Sequence, residues 1–250
     1  MRIRKTAFIV GFLFVLLSCS LCFASQNSVN INLGNLDDVV SSTSFSGKVI
    51  QVFFLIGVLG IAPSILIMVT SFVRISVVFS IVRTAIGLQN SPPTQVLNSL
   101  ALFLTLFIMY PTFEKSYDNG IKPLVEETIS LDKAVPLIIT PFKSFMMSNT
   151  RTQDISMFKN IAKIDSVKEE VPIHVVIPAF LISELRKAFE IGFLLFLPFL
   201  IIDVMVSSTL MALGVMMMPP VTVSLPFKII FFVLVDGWHL LVGSLIKSFY

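Results

Sequence analysis

The chain has 250 residues, of which 55% are hydrophobic and 13% charged, with a formal net charge of +3. A mean hydropathy of +0.92 exceeds that of soluble globular domains, and the small, dispersed positive excess lacks the basic clusters of a nucleic-acid binder. Both cysteines, Cys19 and Cys22, lie near the start of the chain, so no disulfide framework can hold the remainder together.

Taken in order, residues 1–24 read as a signal peptide. Arg2, Arg4 and Lys5 form a positive n-region, Phe8 to Leu17 an apolar h-region, and Cys22-Phe23-Ala24 puts small residues where signal peptidase inspects them. A lipoprotein site at Cys19 is the competing reading, and the bulky Leu17 fits it poorly. Residues 25–47, rich in Ser, Asn, Asp and Gly, are expected to form a mobile extracytoplasmic arm.

Residues 48–111 are expected to make a first pair of hydrophobic helices. The earlier segment, 48–71, is interrupted by Gly57, Gly60 and Pro63, which membrane helices tolerate where neighbours re-satisfy the backbone. Its connector to the next carries Arg74 and Arg83 as its only charges, in accord with a cytoplasmic location under the positive-inside rule. The second segment, 95–110, is expected to stop at Pro111 and, at about 16 residues, is short for a span.

Residues 112–188 hold most of the charge and read as an extracytoplasmic domain of amphipathic helices. Val171-Pro172 and Ile177-Pro178 are expected to bracket an extended piece, with a helix starting near Ala179. Residues 189–250 complete the chain as a second hydrophobic pair, 189–213 and 226–246. Between them stand Met216, Met217 and Met218 followed by Pro219 and Pro220. Three adjacent residues fan over roughly 200° of a helix, and the prolines forbid helical continuation. The bland reading is a methionine-rich helix end; the alternative is that flexible thioethers project from a loop. The fold class expected is all-α: a polytopic membrane protein of broken hydrophobic helices with an α-helical extracytoplasmic segment.

Asp203 and Asp236 are the intramembrane acids, and each is a functional hypothesis because a charge there is costly. An intramembrane aspartyl protease would need two carboxylates sharing a proton, yet IIDV and LVDGW lack the GxGD pattern of that class. Pairing of each Asp with Arg, with Lys228 or with a neighbouring subunit's donor is the preferred reading. His174 and His239 have no Cys or Glu at ligand spacing, so no metal is expected. No phosphate loop or Ser/His/Asp arrangement appears, so neither a cofactor nor an enzyme activity is expected.

Two long stretches carry a resemblance. MVTSFVRISVVFSIVRTAIGLQNSPPTQVLNSLALFLTLFIMYP (68–111) and AFLISELRKAFEIGFLLFLPFLIIDVMVSSTLMALGVMMMPPVTVSLPFKIIFFVLVDGWHLLVGSLIKSF (179–249) are similar, in the same order, to the two signatures of the FliP family of flagellar type III export-gate proteins, which has injectisome relatives. The resemblance implies a homopentamer that assembles with FliQ-like and FliR-like membrane proteins into a conical pore. Unfolded flagellar subunits would pass through it, in the inner membrane at the flagellar basal body, beside other export proteins. It implies a methionine gasket at Met216, Met217 and Met218, with Pro219 and Pro220 shaping the loop. Much of the nominally transmembrane part would be lifted from the bilayer plane in the assembly. Phe142 falls where the family makes subunit contacts, and Arg74, Arg83, Glu184 and Lys187 fit inter-subunit or inter-helix ion pairs. Thr94 departs from the Asn more usual after the double proline. A small-solute transporter or ion channel is the alternative, favoured by broken helices and intramembrane acids but unsupported by any internal repeat.

Overall fold

The computed structural model describes residues 53–54, 56–57, 60–61, 63–65, 67–88, 91–164, 171–214 and 218–250. The signal peptide and arm expected over 1–47 lie outside the described residues, as do Met216 and Met217. The chain divides into two units, residues 1–66 and 67–250. The described residues of the first are helical. In the second the described residues form helices and no strand.

Helix α1 (Phe72–Ile86) is the centre of the unit. Ile75, Val78, Phe79 and Val82 recur at helical spacing and are buried, giving α1 a continuous apolar stripe. Around it pack Leu97, Ala101 and Ile108 of α2 (Thr94–Ser116), Ala188 and Phe199 of α6 (Ile173–Ala212), and Leu241 and Leu245 of α8 (Gly237–Lys247). The α1–α6 crossing is close because Gly192 has no side chain: a Cβ there would lie 2.5 Å from Ile81 Cδ1. Helix α1 ends in a Schellman motif. Gly87 adopts φ 90°, its N–H reaches Thr84 O at 3.0 Å, and Leu88 N–H reaches Arg83 O at 3.2 Å.

Pro111 does not stop α2, contrary to the sequence expectation. The helix continues to Ser116, a π-turn follows over Tyr117–Ile121, and α3 (Lys122–Val125) completes a helical run of 32 residues. A proline costs one hydrogen bond of the ladder, and burial of Thr112 and Ser116 beyond it, with Ser116 Oγ donating to Ile138 O at 2.8 Å, holds the continuation in place. Helices α4 (Leu131–Asn149) and α5 (Thr152–Ile161) build the middle of the unit. A second apolar cluster there joins Met146 to Val171, Val175, Val176 and Phe180.

The extended piece expected before Ala179 is also absent. Helix α6 begins at Ile173 and runs 40 residues through Pro178 and Pro198, about 60 Å. Val175, Val176, Ala179 and Phe180 are all buried at i, i+4 spacing, and that packing outweighs the bond lost at Pro178. The last hydrophobic segment, expected as a single run over 226–246, is two helices. α7 (Pro220–Leu234) and α8 meet at a 63° bend, where Asp236 takes the left-handed conformation, φ 50° and ψ 53°. Gly237 follows because the Phe232 ring occupies the space a Cβ would need, 2.3 Å away. The run Thr94–Val125 and α6 are long and apolar enough to cross a membrane, and the bent α7–α8 pair is a third if counted as one span. Phe193, Leu194, Ile201, Val204 and Met205 lie exposed along α6, an apolar surface of the kind that lipid or protein partners cover.

Candidate functional site

Two charged networks organise the unit, each built from side chains distant in sequence. In the first, Arg74 on α1 and Glu184 on α6 are both fully buried. Arg74 Nε donates to Glu184 Oε2 at 2.8 Å and Nη2 donates to Oε1, a bidentate fork. The remaining nitrogen, Nη1, donates to Ser248 O at 3.0 Å and to Ser248 Oγ at 2.9 Å. The guanidinium carbon lies 3.6 Å from the centroid of the Phe249 ring, which stacks in turn on Phe145 of α4. One arginine thus ties α1, α6 and the segment after α8. Both members of this pair are inside a single chain, so the fold builds the inter-helix version of the pairing.

The second network braces the hairpin of α6 and α7, whose connector carries the methionines. Lys228 on α7 is 3% exposed. Its ammonium donates to Asp203 Oδ2 on α6 at 2.6 Å and to Ala85 O at the end of α1 at 3.1 Å. Ser224, one turn before Lys228, donates to the other carboxylate oxygen of Asp203 at 2.6 Å. An apolar environment makes an unpaired charge costly, and here the carboxylate and ammonium are each paired and further hydrogen-bonded. Beyond this brace the described residues of the connector are exposed: Met218 shows 51% of its surface, and Pro219 and Pro220 are exposed with it.

The other singled-out residues make no hydrogen bond to these networks, although the Lys187 ammonium is close enough to Arg74 and Glu184 to feel both charges. Phe142, half-buried on α4, meets Phe113 of α2 edge-on at 5.6 Å. Arg83 donates to the Thr94 hydroxyl at 2.8 Å, so Thr94 acts as an acceptor for α1 while Pro93 occupies the helix N-cap. Lys187 donates to the carbonyl of Asn149 at the end of α4, at 2.6 Å. Asp236 is exposed at the α7–α8 bend, where its backbone conformation rather than a capping bond is its distinguishing feature. Sequence reading passed over Ser224, Ser248 and Ser183. Ser183 is fully buried on α6, donates to Asp154 Oδ2 at 2.5 Å and accepts the Arg151 N–H at 3.1 Å. The i, i+4 spacing of Ser224 and Lys228 was the one signal available. Among the described residues no group of three or more His, Cys, Asp or Glu is placed to hold a metal ion.

Comparison with known proteins settles the family. A profile of the FliP family matches residues 55–245. Flagellar biosynthetic protein FliP of Caulobacter vibrioides is 54% identical over 227 residues, 90% of this chain and 83% of that one. The Bacillus subtilis protein of the same name is 48% identical over 223 residues, covering 88% of this chain and 98% of its own length. The chain belongs to the FliP family. The FliP match takes in Arg74, Glu184, Asp203, Lys228 and the methionine connector, and it stops short of Ser248 and Phe249. The Asp203–Lys228–Ser224 brace of the α6–α7 hairpin therefore lies wholly within the FliP-matched region.

Proposed function

We propose that this chain is a pore-forming subunit of the flagellar type III protein export gate. Family membership supports a part in the flagellar export apparatus. The finer reading rests on one observation: the exposed residues Met218, Pro219 and Pro220 follow a connector between two helices that the half-buried Asp203 carboxylate, held by the buried Lys228 and Ser224, ties together. Copies arranged around an axis, five in the reading favoured here, would bring Met216, Met217 and Met218 together in a shared lumen. Unbranched thioethers are suited to close around nothing and to yield around varied unfolded chains, because they pack without demanding a fixed partner. The same copies would join FliQ-like and FliR-like membrane proteins in the inner membrane at the basal body, with the segment around α4 and α5 on the extracytoplasmic side. The exposed apolar side chains of α6 supply the kind of surface such an assembly covers.

The test has two arms. The native mass of the detergent-purified protein, alone and co-expressed with its neighbouring membrane subunits, is expected to give a ring of about five copies that recruits both partners. A stable monomer that ignores them sinks the reading and turns attention to the small-solute transporter alternative. In the second arm, replacing Met216, Met217 and Met218 together with Ala is expected to leave assembly intact and make the closed pore leak ions. A triple variant that assembles and stays tight removes the gasket assignment.

A further inference from the structure

A groove of about 280 Å³ opens between the end of α1 and the second half of α7. Its wall is apolar, from Ile86, Ile229, Phe232, Val233 and Trp238, and Arg83 is the sole charged residue lining it among the described residues. A cavity of about 150 Å³ accommodates a benzene ring in an apolar core, so this groove has room for on the order of ten carbons of a hydrocarbon chain.

We propose that this groove binds one anionic phospholipid, with an acyl chain against Ile229 and Phe232 and the phosphate on Arg83. Charge complementarity favours that occupant over an apolar helix. Among the described residues Arg83 forms an ion pair with no carboxylate, and its single hydrogen bond goes to the neutral Thr94 hydroxyl. A guanidinium has five donors in a planar fork that suits phosphate oxygens. Thr94 Oγ accepts from Arg83, which leaves its own proton free to donate to the same phosphate. An apolar helix seated there would bury this cation without a counter-charge. Trp238 completes the site. It is 40% exposed at the groove, fixed by edge-on contacts with Phe79 and Phe232, and tryptophan is the side chain that settles at the headgroup level of a bilayer. The inference needs only the membrane-capable helices of this chain and stands apart from the pore reading.

The experiment is native mass spectrometry of the full chain in detergent, titrated with phosphatidylglycerol or phosphatidylcholine. One phosphatidylglycerol per chain is expected, retained about tenfold more tightly than phosphatidylcholine, whose choline cation offsets its phosphate charge and is repelled by Arg83. Arg83→Ala is expected to abolish the preference and Arg83→Lys to keep part of it. Ile229→Trp fills the groove and is expected to weaken both lipids about tenfold while leaving Arg83 in place. Circular dichroism checks that each variant is folded, and the two substitutions act on different ends of the site, so either alone remains informative. Equal binding of the two lipids, or a preference that survives Arg83→Ala, overturns the proposal. Displacement of phosphatidylglycerol by millimolar inorganic phosphate alone would make it a free-anion site and overturns it too. So does a Val233→Cys variant that crosslinks copies to each other and takes up no lipid, because the groove is then filled by protein.

Discussion

Replacing Arg74 with methionine removes the guanidinium but leaves Glu184 fully buried, without the fork that neutralises it. Glu184→Leu does the converse and strands the guanidinium between Ser248 and the Phe249 ring. Breaking a buried pair from one side costs about 3–5 kcal/mol, and for a chain of this length each kcal/mol lowers the unfolding midpoint by about 2–4 °C. Each single variant is therefore expected to lose roughly 6–20 °C. The double variant, Arg74→Met with Glu184→Leu, leaves no stranded charge. Its remaining cost is the two bonds to Ser248, about 1 kcal/mol each, and the stacking on Phe249, about another 1 kcal/mol. At about 3 kcal/mol the double falls well short of the sum of the singles, which is the signature of coupling. The assay is thermal unfolding in detergent followed by fluorescence of Trp238, the single tryptophan of the chain, which packs edge-on against Phe79 beside the core of α1. Single variants that cost less than about 1 kcal/mol, or a double equal to the sum of the two, would show that Arg74 and Glu184 are not coupled.

Asp203→Asn leaves Lys228 buried with the Ala85 carbonyl and no carboxylate, so the α6–α7 hairpin is expected to lose about 3–5 kcal/mol; limited proteolysis of the 213–219 connector reads the opening, and unchanged resistance counts against the brace. Gly192→Val drives a side chain into Ile81 and is expected to cost about 1–3 kcal/mol, with partial recovery in combination with Ile81→Ala. If the unfolding midpoint of Gly192→Val matches the parent, the α1–α6 crossing has room for a side chain at position 192 and is not close-packed there. At the bend, Asp236→Gly is expected to be neutral or slightly stabilising, because glycine adopts the left-handed conformation freely, whereas Asp236→Val costs about 1–2 kcal/mol. A glycine variant that folds normally yet fails to support motility assigns the carboxylate a role beyond the turn.

The class of this protein is legible in its residues alone. Apolar runs of membrane length need no partner to be recognised, and backbone satisfaction in lipid leaves helices as their form. The methionine–proline connector was equally plain as a break between two apolar runs: α6 ends at Ala212, Gly214 takes the left-handed conformation, and α7 begins at Pro220, a position where a proline's missing N–H costs nothing. The two family stretches then gave the export-gate reading. Other local rules failed where packing competed with them. Pro111 and Pro178 read as boundaries because each removes one hydrogen bond, and helices run through both because Thr112, Ser116, Val176 and Phe180 gain more by burial. The break at Asp236 was hidden for the opposite reason: a left-handed residue leaves no periodic mark in a run that is apolar on both sides. Charge partners were legible only in part: Lys228 stood among the candidate partners of Asp203, but no local spacing paired Arg74 with Glu184. Arg74 and Glu184 lie 110 residues apart, and Lys228 reaches back 143 residues to Ala85. A sequence shows that such charges are too costly to stay unpaired, but only the packing of α1 between α6 and α7 decides which partner comes within hydrogen-bonding distance.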